Sequence, residues 1–265
     1  MIPDLNTVVS IVKQAGDKEL KSRFLNISFS HKTDGSVITE ADFASQKFIS
    51  EELQKRWPEI GFLGEEMTPQ QQAAIMQSSG SYWCLDPLDG TLNFSSGVPL
   101  YAVSLALVVN GEIVLGIVYD PSSNECFTGE KGKPSLLNGH RLGDRIPQAP
   151  LAKGIGLVDI KRLDPELVLR LVKEKPFQSQ RSIGSVALEW CWMAAGRFHV
   201  YLHGSQNLWD YAAGHLILQG AGGYSCTMQG EKVFNNTLEK RSAVCALSKQ
   251  HFEEWKDFLK IEKYF

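Results

Sequence analysis

The sequence predicts an α+β fold built from two halves that differ in how helices and strands alternate. In the first half, helical patterns are mixed with apolar runs, and two of these runs, Tyr101–Val109 and Glu112–Tyr119, flank the dipeptide Asn110-Gly111. Asn-Gly is a preferred two-residue turn of a β-hairpin, so the runs predict antiparallel sheet. In the second half, short apolar runs alternate with helical patterns, which is typical of an α/β arrangement.

The elements of the first half follow from periodicity and from helix boundaries. Apolar residues recur at helical spacing over residues 4–24, and a second helical pattern spans Thr39–Arg56 and stops before Pro58. The polar segment over residues 67–81 predicts a loop or a short helix. Apolar runs predict strands at Ile60–Leu63, Tyr82–Leu85, Tyr101–Val109 and Glu112–Tyr119.

The second half divides into four predicted strands and four predicted helices. The strands are Gly154–Val158, His199–Leu202, Tyr224–Thr227 and Ala243–Leu247. The helices are Pro165–Glu174, Ser185–Ala195, Leu208–Ala221 and His251–Leu259. Because no flexible linker marks the change near residues 147–152, we expect an N-terminal α+β half (1–147) and a C-terminal α/β half (148–265) packed tightly as one unit.

The composition excludes several classes of protein. Of the 265 residues, 43% are hydrophobic and 22% are charged, which is ordinary globular composition and excludes a disordered chain. The net charge of −3 gives no electrostatic reason to expect a nucleic-acid partner, and no apolar run of roughly 18 residues predicts a membrane span. The five cysteines are scattered and the N-terminus lacks a signal-peptide pattern, so we expect reduced thiols in a cytoplasmic protein.

The segment DPLDGT, residues 86–91, carries the strongest chemical signal. Its two carboxylates, Asp86 and Asp89, are three residues apart and bent by a proline, so they can converge on one hard cation together with the carbonyl of Leu88. Ligand sets made only of oxygen favour Mg²⁺ or Mn²⁺ over zinc. The N–H groups of Gly90 and Thr91 at a helix start can bind phosphate. The alternative is an ordinary Asp-rich turn with an Asp cap.

Five ordered motifs carry a resemblance to a known family. They are KTDGS (32–36) followed by TEAD (39–42), GEE (64–66), DPLDGTLNF (86–94), RSIG (181–184), and WDYAAG (209–214) with GAGG (220–223). Together they resemble the inositol monophosphatase family, whose members are Mg²⁺-dependent, lithium-sensitive phosphatases related to fructose-1,6-bisphosphatase. The resemblance implies a layered αβαβα sugar-phosphatase fold, a homodimer and a small phosphorylated polyol or sugar as substrate.

The resemblance also implies a role for each matching residue. Glu65, Asp86 and the Leu88 carbonyl hold a first metal ion, and Asp86, Asp89 and Asp210 hold a second. A weaker third ion is held by Glu65 and water, so two or three Mg²⁺ are expected, with Mn²⁺ possible. Thr91, Asp42 and Glu65 form the catalytic set that orients and deprotonates the attacking water. The implied phosphate- and substrate-binding residues are Asp89, Gly90, Thr91, Gly184, Ser185 and His203.

Several of these residues also fit purely structural roles. Thr39 and Asp42 match an acidic capping box, and Asn207 followed by Asp210 matches a helix cap with an acid in the first turn. Lys32 lies in a polar loop and matches either a surface lysine or the lysine that the family has near its metal site. In the context of the other motifs, the metal role is favoured for Asp210, and both roles can coexist for Asp42.

The residues after the second aspartate bear on the substrate. Leu92-Asn93-Phe94 resembles the inositol-phosphate type, whereas phosphatases of phosphoadenosine phosphate carry KEF there and fructose bisphosphatases have SSN after the glycine. One departure is His203, which stands where many members have a carboxylate that binds the inositol ring. A carboxylate accepts two hydrogen bonds and an imidazole cannot do so in the same way. We therefore expect a phosphomonoester hydrolase of the inositol-1-monophosphatase type. The alternatives are a histidinol phosphate, sugar phosphate or phosphoadenosine phosphate phosphatase, and a regulatory binding protein on the same fold.

Overall fold

The computed structural model describes residues 2–25, 29–31, 37–78 and 80–262. The segment KTDGS at 32–36, with Lys32, lies outside these residues. The α-helices are α1 Leu5–Ala15, α2 Glu40–Arg56, α3 Pro69–Ser78, α4 Thr91–Ser95, α5 Pro165–Glu174, α6 Val186–Ala194, α7 Leu208–Gly220 and α8 Lys249–Leu259. A π-helical stretch, Gly16–Lys21, continues α1, and short 3-10 turns occur at Leu151–Lys153 and Ile160–Arg162.

The strands form two large sheets and one small one. The seven-stranded sheet has the order β3-β4-β5-β6-β7-β8-β9 and contains Gly61–Gly64, Ser81–Asp89, Ala102–Val109, Glu112–Asp120, Glu125–Glu130, Leu136–Leu137 and His140–Arg141. The five-stranded sheet has the order β11-β10-β12-β14-β13, where β10 to β14 are Ile155–Asp159, Ser179–Arg181, Val200–Gln206, Tyr224–Cys226 and Arg241–Ala246. The strands β1 Phe29–His31 and β2 Val37–Thr39 pair antiparallel.

The helices and the two large sheets form five layers, and three apolar cores hold these layers together. Helices α1 and α2 cover the outer face of the seven-stranded sheet, where Val12 and Ile49 pack with Leu105. Helices α6 and α7 fill the space between the two large sheets, where Trp190 joins residues of both. Helix α8 covers the far face of the five-stranded sheet with Trp255. This order confirms the predicted layered αβαβα fold.

Strand β5 shows why its sequence is a nearly unbroken apolar run. Val103, Leu105 and Leu107 face the α1/α2 core, while Ala106 and Val108 face the core that contains α6 and α7. Both faces of the strand are therefore buried, and the polar alternation of a half-exposed strand is lost. The predicted hairpin that follows is confirmed, because Asn110 and Gly111 both adopt positive φ, at 49° and 77°.

Helix α7 lies directly on the seven-stranded sheet because two glycines leave room for it. A Cβ atom at Gly116 of β6 would stand 2.8 Å from the carbonyl oxygen of Ala213, and one at Gly129 of β7 would stand 3.2 Å from Ile217. These contacts cross the expected boundary between residues 147 and 148. The two halves therefore share one core, and their division at residue 147 stays a proposal about how the sequence is organised.

The structure corrects some predicted boundaries. Helix α1 ends at Ala15, where the chain turns into the π-helical stretch, rather than continuing regularly to residue 24. The polar segment after Met67 contains a helix, α3. Strand β4 runs past Leu85 to Asp89, because Asp86 pairs with Ser104 and Asp89 with Ala102 around an irregularity. All five cysteines are free and buried. Among the described residues, no helix has both the length and the apolar character needed to cross a bilayer.

Candidate active site

The end of strand β4 is held in a bent form by local hydrogen bonds. The Leu88 backbone N–H donates to Oδ1 of Asp86 at 3.0 Å, and the Ser45 hydroxyl donates to the carbonyl of Pro87 at 2.9 Å. Gly90 then adopts φ of +92°, and a Cβ atom there would stand 2.8 Å from the Leu100 carbonyl oxygen. Only glycine fits this position, which reverses the chain and starts α4. The chain thus brings Asp86 and Asp89 to one end of the sheet.

Asp42 and Thr91 meet beside this bend. Oδ2 of Asp42 accepts hydrogen bonds from the N–H and the hydroxyl of Thr39, at 2.8 and 2.6 Å. Its Oδ1 lies 3.1 Å from Oγ1 of Thr91, which also lies 2.9 Å from the carbonyl oxygen of Leu88. Burial raises the pKa of Asp42 to about 6 despite the bonds from Thr39. Thr91 can therefore donate its single hydroxyl proton either to Oδ1 of Asp42 or to the carbonyl oxygen of Leu88.

Asp89 is held by residues of the second half of the chain. Its Oδ2 accepts from the Ser185 hydroxyl at 2.5 Å and from the Ala187 backbone N–H at 2.7 Å. Burial raises the pKa of Asp89 to about 6, and the bonds from Ser185 and Ala187 oppose that rise. Ser185 is thus brought to the site as predicted, and it is also the N-cap of α6. Its predicted contact with substrate stays a prediction.

Asp210 lies in the first turn of α7. Its Oδ2 accepts from the backbone N–H of Asn207 at 2.8 Å and from the Asn207 side-chain amide at 3.3 Å. Burial raises the pKa of Asp210 well above its usual range, and the negative charges of Asp89 and Glu65 raise it further. Both the cap role and the proximity to the other acids therefore hold for this residue.

Glu65 directly follows β3, which is the strand next to β4 in the sheet. Its backbone N–H donates to the carbonyl of Leu85 at 3.0 Å, which sets the residue level with the start of the DPLDGT segment. The carboxylate is partly exposed. Its charge raises the pKa values of Asp42, Asp86, Asp89 and Asp210, so it faces the same site.

The four carboxylates Glu65, Asp86, Asp89 and Asp210 repel one another; Asp86 and Asp89 are buried, and Asp210 and Glu65 are half-buried. Burial raises the pKa of Asp86 well above its usual range, and the charges of Glu65, Asp89 and Asp210 raise it further. In the described part of the chain, no lysine or arginine forms an ion pair with Asp86, Asp89 or Asp210. Buried, unpaired carboxylates are costly unless they are neutralised or coordinate metal.

The donor set fits hard divalent cations. It contains only carboxylate and carbonyl oxygens, which Mg²⁺ and Mn²⁺ prefer. Across the described residues, no three His, Cys, Asp or Glu side chains are already drawn around one point as a complete ligand set. Asp86, Asp89 and Asp210 each turn one oxygen toward a backbone or hydroxyl donor instead.

His203 is placed differently from a group that faces substrate. It is 2% exposed; its Nε2 lies 3.1 Å from Oδ2 of Asp159, and its Nδ1 accepts from the backbone N–H of Ser205 at 3.2 Å. Accepting at Nδ1 requires the neutral ring with its proton on Nε2, and burial indeed lowers the pKa of His203. Burial raises the pKa of Asp159, but the bonds from His203, Lys161 and Arg162 together outweigh this and hold that pKa below its usual range. Both ring nitrogens are engaged, so a substrate contact stays a prediction that this geometry does not favour.

The residues of the loop before α6 depend on partners that sequence reasoning missed. The Asn93 side-chain amide donates to the carbonyl of Ile183 at 2.9 Å, and the Ile183 N–H donates to Oε1 of Glu189 at 3.0 Å. Gly184, which lies between Ile183 and Ser185, has φ of +76° and packs against Asn93. The signal that could have found Glu189 is a single acid inside the apolar run VALEWCWMA. A charge in such a run needs an internal partner.

A cavity of about 1040 Å³ lies away from these acids, around the C-terminal end of α7. Its lining includes Lys131, Arg141, Gln219 and Lys232, and it contains none of the candidate residues above. The candidate site is instead the junction of β3, β4, α2, α6 and α7.

Comparison with known proteins identifies the family of the chain. The sequence model of the inositol monophosphatase family matches residues 3–259. An inositol-1-monophosphatase of Rhizobium meliloti is 35% identical over 91% of this chain and 90% of its own length. A Nus factor SuhB of Xylella fastidiosa is 33% identical over 86% of this chain and 83% of its own. The crystal structure of the extragenic suppressor protein SuhB from Bartonella henselae has a TM-score of 0.84 at 29% identity and covers 97% of this chain and 98% of its own. The chain therefore belongs to the inositol monophosphatase family.

Proposed function

We propose that this protein is a Mg²⁺-dependent phosphomonoesterase that hydrolyses an inositol monophosphate or a close polyol phosphate. The observation that carries the proposal is the group of mutually repelling acids, in which Asp86 and Asp89 are buried and Asp210 and Glu65 half-buried, beside the Thr91–Asp42 pair. A dianionic phosphate cannot approach such a group unless cations neutralise it. Phosphatase chemistry at this site therefore requires metal.

Two cation positions are supported by the placement of the acids. Glu65, Asp86 and the Leu88 carbonyl would hold one ion, and Asp86, Asp89 and Asp210 would hold the other, with Mn²⁺ able to replace Mg²⁺ and a third, weaker ion near Glu65. Bound metal lowers the pKa of water to supply a nucleophile near neutral pH and stabilises the developing negative charge. No histidine base is then required.

Thr91 and Asp42 would handle the proton of the attacking water. When Asp42 is ionised, Thr91 donates its one proton to Oδ1 of Asp42, which leaves a hydroxyl lone pair to accept from water. Asp42 is itself held by two bonds from Thr39, so the direction of this relay is fixed. The pair is a positioned general base in two parts.

The substrate assignment draws on the relatives more than on the Leu92-Asn93-Phe94 segment. Asn93 is engaged with Leu100 and Ile183, and Phe94 is fully buried against Tyr101, so these two residues serve the fold. Leu92 is 61% exposed and is the member of the segment that can meet a ligand. The Rhizobium meliloti relative is named for inositol 1-monophosphate, and we extend that substrate class to this chain.

A regulatory binding role is the second candidate. It is favoured by the relatives named Nus factor SuhB, at 33% identity for the Xylella fastidiosa protein. Against a purely regulatory role, all four candidate carboxylates are present, and Asp86, Asp89 and Asp210 are each held by hydrogen bonds. A homodimer, a cytoplasmic location and inhibition by Li⁺ are further parts of the proposal. Light scattering of the purified protein would measure the oligomer, and a Li⁺ titration during turnover would test the inhibition.

A substrate panel at fixed Mg²⁺ tests the proposed function. Phosphate release would be measured for inositol 1-phosphate, fructose 1,6-bisphosphate, histidinol phosphate, phosphoadenosine phosphate and p-nitrophenyl phosphate, with and without EDTA. We expect Mg²⁺-dependent turnover with the highest kcat/KM for inositol 1-phosphate. Asp89→Asn serves as the matched control for contaminating phosphatases. Turnover that survives in EDTA or in Asp89→Asn would refute the proposal, and a different preferred substrate would refute its inositol part alone.

A further inference from the structure

The loop that holds Asp89 is itself held by a buried acid. Ser185 and Ala187 donate to Asp89, and the preceding residue Ile183 donates its N–H to Oε1 of Glu189. Glu189 lies on α6 and is 2% exposed. Its second oxygen, Oε2, accepts from the hydroxyl of Tyr201 at 3.0 Å. Both oxygens of this carboxylate therefore have donors, and both donors are neutral.

The hydrogen-bonded chain continues from Tyr201 to the N-terminus of α7. The Tyr201 hydroxyl oxygen accepts from Nε2 of Gln206 at 3.0 Å, and Oε1 of Gln206 accepts from Nε1 of Trp190 at 3.0 Å. Gln206 is the last residue of β12 and directly precedes Asn207. Asn207 donates its backbone N–H to Asp210. One continuous network thus runs from the Asp89 loop to the Asp210 cap.

A buried glutamate at position 189 is energetically unfavourable if its only role is to fill space. Burial raises its pKa to about 7, and no lysine or arginine of the described chain forms an ion pair with it. Replacing a buried charge by an apolar residue of similar size is often neutral or stabilising. A carboxylate at this position has one property that an apolar side chain lacks: two rigidly spaced acceptors that link two separate chain segments.

We propose that Glu189 is a positioning residue that sets the spacing between Asp89 and Asp210 through Ile183 on one side and Tyr201 and Gln206 on the other. The inference rests on the proposed function, in which Asp89 and Asp210 share the second cation. Small errors in ligand placement weaken Mg²⁺ binding, because Mg²⁺ demands near-ideal octahedral geometry. Residues that orient metal ligands typically change metal affinity 10–100-fold when replaced.

The test measures metal binding directly and without substrate. Free Mn²⁺ would be followed by electron paramagnetic resonance during titration of the wild type, Glu189→Leu and Tyr201→Phe. Met193→Leu on the same helix is the control, because Met193 is fully buried but outside the network. We expect the dissociation constant of the Mn²⁺ site that Asp89 and Asp210 share to rise about tenfold in both network variants. We expect the site formed by Glu65, Asp86 and the Leu88 carbonyl to keep its affinity, and Met193→Leu to match the wild type.

A kinetic readout separates positioning from general damage. In both network variants the Mg²⁺ concentration for half-maximal activity should rise about tenfold, while kcat at saturating Mg²⁺ stays within about threefold of the wild type. Tyr201→Phe removes a single oxygen, so it keeps the test informative if Glu189→Leu does not fold. Unchanged Mn²⁺ binding in a folded network variant would overturn the inference while leaving the phosphatase proposal intact. A wild type that binds no Mn²⁺ would overturn both.

Discussion

Helices α2 and α7 begin with the same local arrangement but place different neighbours beside it. In each, the third helical residue is an aspartate whose Oδ2 accepts from the backbone N–H of the N-cap residue at 2.8 Å, Thr39 for Asp42 and Asn207 for Asp210. Oδ1 of Asp42 is occupied by Thr91. Within the described chain, Oδ1 of Asp210 accepts no hydrogen bond, and it belongs to an acid that faces Asp89 and Glu65.

The difference shows how a helix cap can prepare a carboxylate for chemistry. The N-terminus of a helix offers N–H groups and a favourable dipole, so one oxygen of an acid at the third position is fixed at little cost. The neighbour of the other oxygen differs: a hydroxyl lies beside that of Asp42, for which we propose a proton-acceptor role, and other carboxylates surround Asp210, for which we propose a cation-ligand role. Structural and functional interpretations of such motifs are therefore compatible.

The largest expected effect comes from removing the charge of Asp210. In Asp210→Asn the amide oxygen can keep the bond from Asn207, so the helix start survives while a charged ligand of the second cation is lost. We expect kcat/KM to fall by at least about 1000-fold, as for the loss of a metal-stabilised transition state. Phosphate release at saturating Mg²⁺, with circular dichroism as the folding control, measures this. A variant that retains more than about a tenth of wild-type activity would remove Asp210 from the ligand set.

Asp42→Asn should have a smaller effect on activity. The amide can accept from Thr39 with its oxygen, but its nitrogen then donates to Oγ1 of Thr91, which directs the Thr91 proton to Leu88 and blocks the relay. Loss of a general base typically costs about 100- to 10,000-fold, and we expect the lower end, because the metal ions still activate water. Mn²⁺ binding should be unchanged. Weakened Mn²⁺ binding in this variant would mean that the two helix starts are not functionally distinct.

The same substitution should stabilise the metal-free protein at neutral pH. The pKa of Asp42 is raised to about 6, above its unfolded value, so its ionised form is disfavoured in the folded state. Stability that this residue contributes at low pH is lost as pH rises from about 4 through about 6. In EDTA, urea unfolding of Asp42→Asn should therefore gain on the wild type by about 2 kcal/mol at pH 8 and by clearly less at pH 5. An equal difference at both pH values would contradict this.

The caps themselves give the smallest expected effects. Thr39 accepts from the Ala41 N–H at 3.1 Å and also donates to Asp42, so Thr39→Ala should lower the free energy of unfolding by about 1 kcal/mol. Asn207 contributes one long amide contact of 3.3 Å, so Asn207→Ala should cost under about 0.5 kcal/mol. Paired urea titrations of both variants measure the difference. A larger loss in Asn207→Ala would show that α7 depends more on its cap than α2 does.

Local patterns predicted most helices and strands and the bend that carries Asp86 and Asp89, and the family resemblance implied the layers and the site roles. The apolar run of β5, the Asn110-Gly111 turn and the bend at DPLDGT are short-range features, and the family resemblance supplied the layer order. The bond between Ser185 and Asp89 joins residues 96 positions apart, so no spacing rule could give it. Ser185 was named from its motif, and its partner became visible only in the fold.

His203 and Glu189 show where sequence reasoning lacked information. The resemblance implies a substrate contact for His203, which stays a prediction; the parallel register of β10 and β12 sets this residue opposite Asp159. Strand register between distant segments is not readable from either segment alone. Glu189 was visible as an acid in an apolar helix, yet its partners Ile183 and Tyr201 belong to two other elements.

The close seating of α7 on the seven-stranded sheet has a consequence for how the protein is made. The inner face of β6 and β7, with Gly116 and Gly129, is covered by a helix that ends about 90 residues after β7. At roughly 5–20 residues per second, a ribosome needs on the order of 10 s to deliver that helix. Throughout that interval the inner face of the nascent sheet lacks the helix that covers it in the folded protein. We therefore expect ribosome-associated chaperones to bind the nascent chain until α7 has emerged.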